Sequence, residues 1–315
     1  MSLADQSAQE LRKAVVHLMM DLPVLPVCTV TLTRPGVSED EHIDDILSLA
    51  TIEPCLSSRI FQIAAKAMPS HSISGIRQAM MLVGSRAVDD LITSHLQGQV
   101  FRPANDEELC MWAHFLLVSI ASRRLAVQYK ALGVNPQQAQ EAGLLHDLGR
   151  LVQYENLAKS PSELEKHSYQ NPDELIRAEE IVFGASHVRL GPVAADIIKV
   201  TTSVRASIDY HHSKPSSIPR KTAKDFGQLI EIVTIADEMA MFCHRWPIED
   251  LVEFTHRAEH FLKNRSVYLK HVKPNPEELY QIMKTSYAEA QQSFLKLDLG
   301  PMPELDKGAH QMLYS

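Results

Sequence analysis

Glycine is scarce, with 12 residues in 315. Strand-like alternation of polar and apolar residues is rare as well, which disfavours sheet-rich folds and biases the chain towards helix. The four cysteines, Cys28, Cys55, Cys110 and Cys243, stand far apart and form no Cys-x-x-Cys pair. With no secretory signal in view they read as reduced, mostly buried thiols, which excludes a disulfide framework. The N-terminal stretch MSLADQSAQELRKAVVHLMM lacks the basic start and continuous apolar core of a signal peptide. No run approaches the roughly 18 apolar residues that a membrane span needs. The expectation is therefore a cytoplasmic protein with no membrane partner. Basic charge is short too: 31 Lys and Arg against 39 Asp and Glu leave a net charge of −8. Without a Lys/Arg-rich stripe the chain is not expected to clamp duplex nucleic acid, although a local basic pocket stays open. Internal repeats and low-complexity blocks are also missing.

What is present is ordinary globular composition, 45% hydrophobic and 22% charged, in a chain long enough for one large or two moderate domains. Residues 5 to 20 form an amphipathic pattern that ends at Leu22-Pro23-Val24-Leu25-Pro26, where two prolines stop a helix. Helical spacing recurs at 40–49, from Glu53-Pro54 to Ala65, at 74–83 and at 86–93. Asn105-Asp106-Glu107-Glu108 is a helix-start signal for a helix running to about Leu132, with Gly133 as its C-terminal cap. Asn135-Pro136 starts the next helix, which ends in Gly-Leu-Leu-His146-Asp147-Leu-Gly149-Arg150. Further helices are predicted at 173–182, 187–200, 202–211, 225–245, 249–263 and 276–294. The expected organisation is an N-terminal helical part over 1–104, a bundle over 105–245, C-terminal helices over 246–296 and a tail over 297–315.

Fifteen histidines make any single one uninformative; their positions carry the signal. His114 lies on an apolar face with Ala113, Leu117 and Ala121. His146 and Asp147 end one helix, His187 starts another after Gly184-Ala185-Ser186, His211 and His212 end a third, and Asp237 sits inside the apolar run Ile230 to Met241. Neutral imidazole and carboxylate suit iron, manganese, nickel or zinc, and an aspartate beside a histidine is able to bridge two ions. Ions about 3.5 to 4 Å apart activate water and hold a phosphoryl group. Ligation also accounts for placing Asp147 and Asp237 in apolar surroundings.

The order and spacing of these residues resemble the HD superfamily of metal-dependent phosphohydrolases. Residues from about 20 to 245 resemble, more closely, the HDOD (HD-related output) domain of bacterial signalling proteins. The matching pieces are Leu22-Pro23-x-Leu-Pro26, Glu53-Pro54-x-Leu56 (a variant of the family's Asp-Pro-x-Leu), Ile76-x-x-Ala79-x-x-x-Val83-Gly84, Trp112-x-His114, Gly143-Leu-Leu-His146-Asp147-Leu-Gly149, Ser186-His187-x-x-x-Gly191, His211-His212 and Ala236-Asp237. The resemblance implies an all-α fold, with an N-terminal helical subdomain packed on an HD-like bundle.

Many HDOD domains have lost part of the HD metal set and act through protein contacts. This chain keeps a residue at each position that binds metal in the similar HD-GYP phosphodiesterases: His114, His146, Asp147, His187, His211, His212 and Asp237. The resemblance therefore implies a dinuclear divalent centre of iron, manganese or nickel, with zinc as an alternative. His146, Asp147 and Arg150 are the catalytic candidates, acting on a phosphoester such as a nucleotide or cyclic dinucleotide. Two features depart from those enzymes. Ser-Lys-Pro-Ser-Ser-Ile-Pro follows His212 where they carry a Gly-Tyr-Pro loop, and Arg150 stands where they carry lysine.

The competing expectation is a catalytically silent signalling module that binds partner proteins, with structural metal or none. Self-association as a homodimer is left open. Taken singly, His114 reads as a core histidine, and His146-Asp147 and His211-His212 as polar helix ends. Lys199 and Arg189 read as phosphate contacts or surface charge. His256-Arg-Ala-Glu259-His260 matches the His-x-x-Glu-His pattern of some zinc proteases but reads as a solvated helix face.

Overall fold

The computed structural model describes residues 8–20, 22, 24–28, 36–69, 73–95, 106–155, 164, 167, 172–245, 248, 251–265 and 269–303. Among these residues there is no β-strand, and the fold is all-α. The principal helices are α1 (Ala8–Met20), α2 (Glu39–Ala50), α3 (Pro54–Ala67), α4 (Ile76–His95), α5 (Asp106–Gln128), α6 (Pro136–Leu145) and α7 (Leu148–Glu155). They continue as α8 (Pro172–Phe183), α9 (His187–Ile198), α10 (Thr202–Tyr210), α11 (Arg220–Arg245), α12 (Leu251–Arg265) and α13 (Pro276–Lys296).

Local chemistry accounts for most boundaries. Ser38 caps α2 in a reciprocal box with Glu41, and Asn275 does the same for α13 with Glu278. Glu53 caps α3, with Pro54 at its first position, and Asn135 caps α6, with Pro136 likewise. Gly133, at φ 72°, ends the 3₁₀ turn after α5. Gly84, at φ 74° and ψ 159°, breaks α4 where the spacing predicts two helical stretches. The Asn105 cap and Pro23 lie outside the described residues.

The centre of the molecule is α5, whose Trp112, Phe115, Leu116, Leu117 and Val118 are all fully buried. It is covered by α6, α11 and α13, while α10 packs on α6 and α11, and α7 on α9. A helix apolar on every side is the expected sequence of a core helix. It also has a consequence that composition alone does not anticipate. Glu108–Gln128 is long and apolar enough to cross a membrane, yet it is mostly buried inside the protein, and α8 with α9 reaches such a length only across a bend of 78°. The N-terminal helices rest on this bundle through α9, which receives both α1 and α3. One apolar core runs from Leu11 to Met302.

Two expectations need correction. The predicted tail does not begin at 297: Leu297 and Met302 are buried, and the Met302 amide donates to Gln291 Oε1 at 3.1 Å. Positive φ at Asp298 and Gly300 turns the chain back onto α13. The remainder, 304–315, lies outside the described residues. Helix α11 begins at Arg220 rather than 225, because the Pro219 carbonyl already accepts from the Ala223 amide. Its polar first turn carries no apolar periodicity to announce it.

Candidate metal centre

Four helix ends and two helix interiors converge on one buried point. α5 contributes His114 from its interior, and α11 contributes Asp237 likewise. His146 is the C-terminal cap of α6, and Asp147 lies in the turn before α7. His187 is the first residue of α9, while His211 caps the C-terminus of α10 and His212 follows it. All seven residues predicted as ligands are thus brought together, six of them buried and His212 nearly so. Their donor atoms fall into two groups, each within 4.8 Å internally: Asp147, His187, His211 and His212, and His114, His146 and Asp237.

Asp147 joins the groups. Its Oδ1 lies 3.4 Å from both His187 Nε2 and His211 Nε2, and its Oδ2 lies 3.6 Å from His146 Nε2 and 3.7 Å from His114 Nε2. Asp237 Oδ1 is 3.2 Å from His114 Nε2 and 3.6 Å from His146 Nε2, and its Oδ2 is 3.7 Å from His212 Nδ1.

The far sides of the rings are anchored. His146 Nδ1 is 2.8 Å from the Gly143 carbonyl, His211 Nδ1 is 2.9 Å from the Ser207 carbonyl, and His187 Nδ1 is 2.6 Å from Glu179 Oε2. Each contact requires Nδ1 to carry the proton, which turns the Nε2 lone pair towards the aspartates. Asp147 Oδ1, His187 Nε2 and His211 Nε2 are buried and make no hydrogen bond. Leaving three such atoms facing one another is costly unless something binds them. Inward lone pairs opposite carboxylates are what a divalent cation requires, so the residues fit a metal.

The electrostatics are strongly coupled. Burial opposes ionisation of Asp147, but His146, His187 and Arg150 override it and hold the carboxyl well below its ordinary value. Burial is likewise overridden at Asp237 by the neighbouring imidazoles of His114, His146 and His212, which hold its carboxyl well below its ordinary value. Burial lowers His114, and burial with the neighbouring His211 holds His212 well down, so both favour the neutral form that ligates. Burial also works against charge on His146 and His187, yet Asp147 raises the first and Glu179 the second.

Close packing holds the frame. A Cβ on Gly149 would lie 2.1 Å from the His187 carbonyl oxygen, and one on Gly191 would meet Ile208 at 2.9 Å. These glycines let α7 and α9 approach so that Asp147 and His187 meet. On the other flank, Gly143 passes the α5 backbone, where a Cβ would lie 2.7 Å from the Val118 carbonyl oxygen.

Arg150, expected to contact substrate, instead sits against the cluster's own carboxylates. Its Nε is 3.1 Å from Asp147 Oδ2 and 3.6 Å from Glu179 Oε1. Lys199 donates to the Pro69 carbonyl at 2.7 Å, and Arg189 is half-buried in the first turn of α9. His256, Glu259 and His260 are exposed on α12 and belong to neither donor group.

Sequence reasoning misses Glu179. It is fully buried on α8, and its carboxylate accepts both the His187 amide, at 2.9 Å, and the His187 ring. The available signal is an acid on the same helical face as Leu175, Ala178 and Val182, all buried.

Comparison with known proteins matches this architecture. The MmoQ response regulator of Methylococcus capsulatus is similar in structure, with a TM-score of 0.56 at 17% identity, over 84% of this chain and 98% of that one. A virulence factor of Campylobacter jejuni is similar with a TM-score of 0.52 at 13% identity, over 90% of this chain and all of that one. A protein of Treponema pallidum, itself uncharacterised, is 22% identical over 246 residues, covering 74% of this chain and 45% of its own length. This chain therefore spans less than half of that relative. At these identities the likeness is one of fold. The model of the HDOD domain matches residues 22–214, well over half of the chain, and the chain belongs to the HDOD family.

Proposed function

We propose that this chain is a cytoplasmic signalling HDOD protein whose bundle holds a dinuclear divalent-metal centre acting on a phosphoester, such as a nucleotide or cyclic dinucleotide. The observation that carries the reading is the division of Asp147: one oxygen faces His187 and His211, the other faces His146 and His114. A pair of divalent cations there supplies an activated water at neutral pH and Lewis acidity towards phosphoryl oxygens. The chain supplies the rest. Asp147 and Asp237 provide two anions to offset the cations, and the anchored rings of His146, His187 and His211 hold their lone pairs in place. No serine or cysteine nucleophile is needed. Arg150 keeps Asp147 ionised and oriented through Oδ2.

A second reading, a metal-stabilised module that signals through protein partners, is favoured by the depth of the site, with Asp147 only 3% exposed and His146 1%. Replacement of the Gly-Tyr-Pro loop by Ser213–Pro219 points the same way. One experiment separates the two. Elemental analysis of chain purified without chelators is followed by a phosphoester screen of the wild type and of His146→Ala/Asp147→Ala. About two equivalents of metal, with hydrolysis abolished in the double variant, is the expected result. Hydrolysis that survives unchanged in the variant refutes the dinuclear mechanism. Bound metal without turnover on any phosphoester leaves the signalling module.

A further inference from the structure

A second cleft lies away from the metal centre, and we propose that it binds a small phosphorylated polyol of the sugar-phosphate class. It encloses about 630 Å³ between α5, α6, α13 and the C-terminal end of α2. That volume suits a small metabolite. Arg124 lies ten residues beyond His114 on α5 (114 to 124), about 15 Å along the helix axis, so the cleft is separate from the centre. α13 also falls outside residues 22–214, which match the HDOD domain. The cleft therefore combines that domain with a helix beyond the match.

The first observation is charge. Arg124 and Lys296 line the cleft together with one carboxylate, Glu289. Two guanidiniums already engage that carboxylate: Arg123 Nη2 lies 2.6 and 2.7 Å from its two oxygens, and Arg124 Nη2 lies 2.7 Å from Oε2. With Arg123 counted, three cations meet one anion. Arg124 Nε is buried and makes no hydrogen bond. Lys296, exposed in the last turn of α13, has no ion-pair or hydrogen-bond partner among the described residues. Uncompensated positive charge along a cleft attracts an anion, and a guanidinium beside an ammonium suits a phosphate.

The second observation is the chemistry of the walls. Ser48, Gln140 and Gln292 bring a hydroxyl and two amides that make no side-chain hydrogen bond among the described residues. Such groups both donate and accept, as the hydroxyls of a polyol do. Apolar residues are limited to Ile52 and Ala288, and among the described residues none of the lining side chains is aromatic. A nucleobase has no ring to stack on there. The ligand class is thus distinct from the nucleotides proposed for the metal centre. Because α2, α5, α6 and α13 all contribute, an occupant ties together three parts of the chain.

Isothermal titration calorimetry of the full chain with glucose 6-phosphate, ribose 5-phosphate and glycerol 3-phosphate tests the proposal. Glucose, inorganic phosphate and adenosine monophosphate are the comparisons. At least one of the three phosphorylated polyols is expected to bind at one per chain, about tenfold or more tighter than each comparison. Chelator leaves that binding unchanged, since the cleft needs no metal. At about 100 times its Kd the ligand raises the melting temperature by about 5 °C. Lys296→Gln removes an exposed, unpaired charge, so the unliganded melting temperature stays in place while binding weakens about tenfold or more. Arg124→Gln weakens binding similarly, with Arg123 still on both oxygens of Glu289. If Arg124→Gln does not fold, Lys296→Gln alone decides. No binding of any of the three overturns the proposal. Equal or tighter binding of inorganic phosphate marks an adventitious ion only, and tighter binding of adenosine monophosphate overturns the ligand class. Binding that chelator abolishes and Lys296→Gln leaves intact belongs to the metal centre instead. A chain that holds no metal is still expected to bind the polyol, so the two readings fail separately.

Discussion

The most exacting check on the site's architecture is a single methyl group. Gly149→Ala places a Cβ 2.1 Å from the His187 carbonyl oxygen and 2.7 Å from both the carbonyl carbon and Cα. None of these atoms is able to rotate away, because all are main chain at the first residue of α9. Restoring ordinary contact requires α7 and α9 to separate there by about 1 Å, whereas ligand atoms tolerate displacements of only about 0.5 Å. Overpacking a filled interior costs about 1 to 3 kcal/mol, and backbone displacement places this case near the upper end. At roughly 2 °C per kcal/mol for a chain of this size, the metal-free melting temperature falls by about 6 °C. Because His187 moves away from Asp147, metal affinity also falls, by about tenfold or more. Gly191→Ala is the internal control. Its Cβ meets the Cγ2 methyl of Ile208 at 2.9 Å, a side-chain rather than a main-chain atom, and next the Gly149 amide at an ordinary 3.5 Å. The cost there is about 1 kcal/mol, near 2 °C, with metal binding largely kept. Calorimetric melting with and without chelator, together with metal titration, reads all of these. A Gly149→Ala chain that melts and binds metal as the wild type does, or that is less affected than Gly191→Ala, refutes the claim that α7 and α9 touch at backbone distance to form the centre.

Two further outcomes follow from groups outside the centre. Burial raises Glu53, the α3 cap, from 4.5 to about 7, against hydrogen bonds from the Leu56 amide and the Trp112 ring that pull it down. A carboxyl raised on folding contributes stability that is present below its unfolded value and lost as pH rises through about 7. Urea denaturation at pH 5 and pH 8 should therefore show the wild type losing about 2 kcal/mol more than Glu53→Gln over that interval, and parallel profiles would refute the burial argument. Glu231, buried on α11, accepts the amides of Lys270, His271 and Val272 at 2.9, 2.6 and 2.9 Å. Glu231→Ala orphans all three, and the expected cost is about 3 kcal/mol, with faster proteolytic cleavage around 269–275; an unchanged cleavage rate counts against the clip.

Much of this structure is legible in the sequence because its signals are local. Caps such as Asn135-Pro136 and Asn275-Pro276 act within one turn, so they place α6 and α13 without any knowledge of their neighbours. Illegible parts depend on partners far along the chain. The turn at Asp298 and Gly300 matters only because Gln291 and the core wait for Met302. Arg150 reads as a cation free to meet a phosphate until Asp147 and Glu179 are seen beside it.

The metal-ligand candidates and Glu179 differ in the same way. A histidine or aspartate in an apolar helical run violates the local pattern, and the violation is visible wherever the fold later carries it. His114, His146 and Asp237 stand out on that ground from the order of residues alone. Glu179 violates the pattern equally, yet its neighbour Glu180 is exposed, so the pair reads as an acidic surface turn. Only the packing of α8 on α9 turns one acid inward onto His187 and leaves the other in solvent. The residue types that a cation demands are thus written along the chain. The support behind His187 is not, because it comes from a carboxylate carried on another helix.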